Sequence, residues 1–458
     1  MKENLGHKLK NRHIQMIAIG GAIGTGFFLG TSSMLQMTGP SIMLAYLLGG
    51  FIMYGILRAL GEMTVDYPTS GSFVEYAHRY LGTGAGFIAG WNAWLLFMCA
   101  CMLEVTAVAM LLDYWLHIPH WITCAVLLTV FGGINLISVK YFGETEFWFA
   151  GIKVAVIIFI IVAGLYLIFA NSSIHHIAVQ NVHHFAVGDN FFTHGISGFL
   201  TALSLVCLAF CGAEFVSVAA GEAEDPKRSI PKAINGVVVR IVLFYVLTIA
   251  IVVIMSPLHT IQVSKNLFTA VFATLGFAHA ADIINIVAIT AALSSLNSCL
   301  YVSARFLYRL ALNGQAPQKF ARVSKNHLPK NALIFTVILA FLAVIANYTF
   351  PAYVLQALFA IITVAIIINW YIILLSHMFF RKDALLTHKE IHYPMPGYPY
   401  INVLIMGVLF VILIMMAKNA SMELEAYIAP AWLLVLSIVY ALSSGRQDLK
   451  LQSMARKG

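Results

Sequence analysis

Apolar runs of about twenty residues, the length that crosses a bilayer as a helix, recur from one end of this chain to the other. They fall at Ile14 to Met37, Ser41 to Thr64, Gly84 to Leu112, Trp121 to Ser138, Phe147 to Ala170, Gly198 to Gly221, Val237 to Ser256, Ile283 to Leu312, Ala332 to Tyr348, Tyr353 to Met378, Asn402 to Ala417 and Ala426 to Leu442. No soluble domain is 60% hydrophobic and only 10% charged, as these 458 residues are. Backbone polar groups in hydrocarbon must be satisfied within their own segment. The expected fold class is therefore all-α integral membrane, with twelve transmembrane helices.

Lysine and arginine accumulate on the cytoplasmic side of a membrane. With the N-terminus inside, 24 of the 27 basic residues fall in or around the inner segments and 2, Lys265 and Lys418, on outer loops; the last, Lys153, lies deeper inside a span. The split predicts an even number of helices in the cell (inner or cytoplasmic) membrane, with both termini cytoplasmic. It also accounts for the net charge of +8 without nucleic acid. Met1 to His13 has no hydrophobic core of its own, so no cleavable signal peptide is expected. All six cysteines sit in predicted spans with no zinc-like spacing and read as buried small side chains, so neither a metal nor a cofactor is expected. The sequence carries no signal for an oligomeric state.

Two spans are interrupted. The first, over Ile17 to Pro40, places Gly20, Gly21, Gly24 and Gly26 within seven residues near its middle. Each glycine weakens a helix by about 1 kcal/mol relative to alanine, and unpaired backbone survives at membrane depth only where it lines a cavity. Close helix packing through small residues is the alternative. The sixth span carries Gly212 and Glu214 at its middle. Breaks at corresponding places five helices apart, in spans crossing in opposite directions, are the pattern of inverted-repeat transporters, which hold a ligand between the broken helices. The organisation expected is a cytoplasmic tail over 1–13, a first repeat over 14–170, a histidine-rich extracellular loop over 171–197 and a second repeat over 198–378. A cytoplasmic loop over 379–401, two appended helices over 402–442 and a cytoplasmic tail over 443–458 complete it.

Ionisable residues inside spans are costly and point to function or to a buried partner. Glu104 in span three is one. Lys153, about two turns into span five, is another, with snorkelling to the interface as its alternative. In span eight Ser294, Asn297 and Ser298 share a face that Arg305 and Arg309 continue; it either lines a path or supplies helix-packing hydrogen bonds. The segment Gly61 to Leu81, whose carboxylates Glu62, Asp66 and Glu75 sit beside Arg58, His78 and Arg79, reads as a solvated, salt-bridged loop helix. The outer loop with His175, His176, His183, His184 and His194 reads as solvated rather than metal-binding.

From about Leu9 to Arg446 the chain resembles bacterial amino-acid permeases of the amino acid, polyamine and organocation superfamily, in the branch of aromatic, proline, lysine and gamma-aminobutyrate permeases. Six segments carry the resemblance: KNRHIQMIAIGGAIGTGFFLG, GEMTVDYPTSGSFVEYA, GFIAGWNAW, FGETEFWFAGIKV, AGEAEDPKRSIPKAI and NSCLYVSARFLYRLALNGQAP. The resemblance implies a LeuT-like fold of two five-helix inverted repeats, with helices 1 and 6 broken and two helices appended. It implies that the substrate carboxylate rests on backbone amides of Gly24, Thr25 and Gly26, and that the ammonium meets carbonyls near Ala22, Leu208 and Cys211. Leu208 stands where relatives often carry an aromatic cap, with Phe210 and Gly212 nearby, and Cys299 occupies a further pocket position. Lys153 resembles the span-five lysine of proton-coupled members, which places its amine where sodium-coupled cousins hold sodium. Glu104 is a second candidate proton carrier, and Glu214, Asn297 and Ser298 are candidate gating or structural groups.

The function expected is secondary active, proton-coupled uptake of an amino acid by alternating access. Apart from Glu214, the expected pocket offers no charge to match a charged side chain, which points to a neutral L-amino acid. An antiporter, or a non-concentrative channel or sensor for small metabolites, is the alternative. No Walker motif provides for ATP, and no cluster of acid, base or metal ligands suggests an enzyme.

Overall fold

The computed structural model describes residues 9–20, 23–137, 139–186, 191–255, 268, 279–324, 326, 328–418, 427–428 and 430–443. Among them the regular structure is helical, apart from an isolated parallel bridge between Leu9 and Ala223. The first third comprises α1 (Asn11–Gly20), α2 (Thr25–Phe28), α3 (Gly30–Thr38), α4 (Ile42–Asp66), α5 (Ser72–Tyr80), α6 (Thr83–Leu112) and α7 (His120–Asn135). Then follow α8 (Val139–Ala170), α9 (Ser172–Ala186), α10 (Gly195–Ala209), α11 (Phe215–Ala219), α12 (Pro226–Arg240), a π-helical turn (Ile241–Leu247) and α13 (Thr248–Met255). The remainder holds α14 (Ala280–Leu312), α15 (Lys330–Ala340), α16 (Leu342–Thr349), α17 (Val354–Leu386), α18 (Tyr400–Lys418) and α19 (Pro430–Ser443). Seven stretches of the described residues are long and apolar enough to cross a membrane, and four further helices are apolar but shorter.

The helix at the centre is α6. Its apolar window is 83% buried, against 28% for α18, which turns Val403, Leu404, Phe410, Val411 and Ile414 outward. Apolar side chains exposed in rows on a chain of this composition face lipid. Around α6 pack α14 and α17, while α1 lies against α8 and α12, and α10 against α3 and α4.

Both interruptions are visible. α1 is described to Gly20 and helix resumes at Thr25, with Gly24 extended at φ −115°, ψ −159°. Between α10 and α11, Gly212 takes φ +100°, a conformation that costs glycine nothing and other residues much. Glu214 repairs that break: one carboxylate oxygen accepts the Gly212 amide at 3.0 Å, and the other accepts the Trp370 indole N–H from α17.

Several segments depart from the sequence expectation. The stretch 61–81 is not a solvated loop helix. Glu62 and Glu75 are buried, because α17 and α14 bring basic side chains to them: Arg381 Nε lies 2.5 Å and His377 Nε2 3.1 Å from Glu62, and Arg309 Nε donates to Glu75 at 2.7 Å. The histidine-rich stretch contains the fifteen-residue helix α9, whose four histidines are exposed. α17 runs on to Leu386, into the expected inner loop. α8 begins at Val139, well before the expected Phe147, and so takes Glu144 and Glu146 into the helix.

At the end of the bundle where α14 finishes, ion pairs fill the interior. Arg305 Nε and the Tyr301 hydroxyl reach the same oxygen of Glu222, at 2.5 and 2.9 Å. The backbone of Leu9 clasps the same segment from outside, its N–H donating to the Glu222 carbonyl and its carbonyl accepting from Glu224, both at 3.1 Å.

Candidate substrate and ion site

The two breaks meet across a small cavity of about 30 Å³. Its walls are Gly24, Thr25 and Gly26 from the first break, Leu208, Ala209, Cys211 and Phe215 from the second, Ala100, Leu103 and Glu104 from α6, Ser295 and Cys299 from α14, and Ile362 from α17. That volume suits about one water molecule. An amino acid needs the walls to part. The first amides of a helix have no partner within it, so the start of α2 presents N–H groups where an anion is favoured.

A second cavity, of about 450 Å³, lies on the other side of Gly26 and Leu208, which belong to both linings. It is walled by Leu29, Gly30, Ser33, Met34 and Met37 from the α2–α3 segment, Met110 from the end of α6, Leu205, and the stretch Pro351 to Phe359 at the start of α17. Leu208 and Gly26 thus form a thin partition between a roomy apolar vestibule and a pinched inner chamber.

Behind the first break, Lys153 is fully buried and its Nζ donates to the Ile23 carbonyl at 2.8 Å. A side chain seated on backbone at 0% exposure is not snorkelling; the alternative fails because the amine turns inward to the first break. Two carboxylates act on this amine, Glu146 and Glu104. Glu104 is 5% exposed, with the hydroxyls of Ser295 and Thr25 beside it. Glu146 is fully buried, and its Oε1 accepts from Ser294 Oγ at 2.7 Å.

The candidate residues therefore divide. Gly24, Thr25, Gly26, Leu208, Cys211, Cys299 and Glu104 come together around the chamber. Ala22 lies outside the described residues. Phe210 points away from the chamber, its ring 4.8 Å from that of Tyr245 and 6.1 Å from that of Tyr46, because the turn after α10 rotates it toward the α4 side. Gly212 and Glu214 are not in its wall either; they hold the break from behind. The carboxylate in the wall is Glu104, not Glu214. Asn297 accepts a hydrogen bond from Asn135 of α7 at 2.8 Å, the helix-packing role, and Ser298 is buried beside Glu146.

Sequence reasoning missed Glu146, Ser295, Ala100, Leu103, Phe215 and Ile362. Two of these had a signal. Glu146 stands seven residues before Lys153, two turns down one face, and Ser295 stands four before Cys299 on α14.

Comparison with known proteins shows the family. Residues 13–451 match the family model described as amino acid permease. The chain is 39% identical over 439 residues to the aromatic amino acid transport protein AroP of Escherichia coli (strain K12), covering 96% of this chain and 95% of that protein. It is equally similar to AroP of Salmonella typhi, and 37% identical over 448 residues to the uncharacterized transporter YdgF of Bacillus subtilis (strain 168), covering 98% of each.

Proposed function

Since the chain belongs to the amino acid permease family, and is thus an integral multi-pass membrane protein of amino acid transport, we propose that it takes up a neutral L-amino acid, preferably aromatic, together with protons. The observation that carries the reading is the chamber itself. Backbone amides at the start of α2 face the second break across a largely apolar wall, and Lys153 is seated on the carbonyl just before them. The carboxylate of a substrate goes to Gly24, Thr25 and Gly26, and its ammonium to carbonyls near Leu208 and Cys211. Its side chain lies among Ala100, Leu103, Phe215, Cys299 and Ile362, where a thiol and an aromatic ring favour a flat, polarisable group. The substrate named for AroP supports the aromatic preference.

Twelve helices with both termini in the cytoplasm, arranged as two inverted repeats plus two helices, form the frame of this reading. The vestibule then opens to the outside and the ion pairs around Glu222 seal the inside. Alternating access consists of closing the partition at Leu208 over the substrate and parting those pairs. Lys153, protonated, ties α8 to the first break through Ile23; deprotonated, it releases that tie.

Reconstituted vesicles test this. Uptake of labelled phenylalanine should be saturable, concentrative and abolished by a protonophore, and among the twenty amino acids the aromatic ones should compete best. Lys153→Ala should lose accumulation driven by a pH gradient while exchange survives in part. Downhill flux indifferent to protonophore would instead identify a channel, and strong preference for lysine, arginine or glutamate would defeat the substrate reading.

A further inference from the structure

Glu146 has no part in holding a substrate, yet it is fully buried in a helix that faces α1 and α14. One of its oxygens is fixed by Ser294 at 2.7 Å; the other, Oε2, has no hydrogen bond among the described residues, and Ser298 lies beside the carboxylate. A buried carboxylate oxygen left without a donor is costly unless something occupies it part of the time. A proton is the smallest such occupant.

The surroundings narrow its source. Lys153 follows two turns later on the same helix face, and helical side chains lean toward the N-terminus, so the long lysine side chain reaches back toward Glu146. The other charged groups near this stretch are already engaged. Arg12 and His13 of α1 are bound to Glu144, and Arg305 of α14 to Glu222. Cys299 and Glu104 lie on the chamber side. With Lys153, Glu104 and Glu146 all ionised the enclosed set carries one positive and two negative charges. A single added proton makes it neutral, and an uncompensated charge in a low-dielectric interior is strongly disfavoured.

We propose that Glu146 is the proton acceptor of Lys153, the group through which the transported proton leaves the site toward the start of α8. In the step an N–H bond of the Lys153 ammonium breaks, an O–H bond forms at Glu146 Oε2, and the neutral amine loosens from the Ile23 carbonyl. When the inner ion pairs part, the carboxylic acid gives its proton to water and the carboxylate is restored. On the chamber side Glu104 takes that added proton from water entering the open site; its O–H bond then breaks as an N–H bond forms on the Lys153 amine, which restores the ammonium and the Glu104 carboxylate. The inference rests on the proton-coupled reading above.

The test is Glu146→Gln in vesicles carrying a trapped pH dye, with phenylalanine as the substrate. Glutamine keeps the shape and the acceptor for Ser294 but cannot carry the proton. Substrate-induced acidification and gradient-driven accumulation should be lost, exchange should persist in part, and Glu146→Asp should recover acidification. Acidification by Glu146→Gln equal to that of the parent protein would overturn the proposal while leaving proton coupling intact. A parent protein that transports without acidification would overturn the coupling itself. Should Glu146→Gln not fold, Ser294→Ala decides: loss of the donor on Oε1 should shift the pH profile of uptake, and an unmoved profile counts against Glu146.

Discussion

Adding one methyl group at Gly26 is the sharpest test of where the chamber lies. A Cβ built there would stand 3.0 Å from Ala209 Cα and 3.6 Å from its N and Cβ. Carbon atoms in contact prefer about 3.5–4.0 Å, so the methyl falls about 0.5 Å inside the lower end of that range, and it meets backbone that cannot rotate away. Overpacking of this kind costs about 1–3 kcal/mol. Because the strain falls between the two breaks, most of it should appear when the walls close on substrate, weakening affinity by about five- to 150-fold. Gly24→Ala meets only side-chain ends, Glu104 Oε1 and Ser295 Oγ, both at 3.1 Å, and should cost less. Gly407→Ala in α18 meets nothing within 4 Å and serves as the control. Equilibrium binding of labelled phenylalanine to the purified variants, alongside their melting temperatures, gives the ranking. A Gly26→Ala protein that folds and binds like Gly407→Ala would remove the first break from the pocket.

Leu208→Ala should merge the vestibule with the inner chamber, so that a thiol reagent added outside labels Cys211 and Cys299 much faster, as read by mass spectrometry of the peptides; equal labelling rates would show that Leu208 is not the partition. A reporter fused after Asn171 should be extracytoplasmic and one after Gln315 cytoplasmic, following the distribution of basic residues. A cytoplasmic signal at Asn171 would break the twelve-helix arrangement.

The breaks were legible because glycine at membrane depth has few other uses, and Gly24, Gly26 and Gly212 all sit at or beside them. Leu208, Cys211 and Cys299 were legible only through resemblance, since an apolar residue on an apolar helix carries no periodic signal of its own. Glu146 was hidden by its place: a charge near the expected start of a span reads as interfacial, and only the earlier start of α8 moves it inside. Glu62 and Glu75 were hidden differently. Their cations, Arg381 and Arg309, come from helices hundreds of residues away, and neighbours in sequence such as Arg58 and Arg79 looked like sufficient partners. Instead Arg58 stacks over Tyr393 and Arg79 over Tyr67.

The backbone clasp of Leu9 on Glu222 and Glu224 constrains how the machine can fail. A carrier becomes a leak when one broken helix swings while the other stays, leaving a continuous water path. Here the residues just before α1 and the segment that follows α11 are joined by two main-chain hydrogen bonds, and Glu222 is fastened to α14 by Arg305. Main-chain bonds are indifferent to side-chain substitution, so this linkage survives sequence drift that would erase an ion pair. At that end the two segments are held together by the peptide backbone as well as by side chains, so a substitution at Leu9 leaves the two bonds in place.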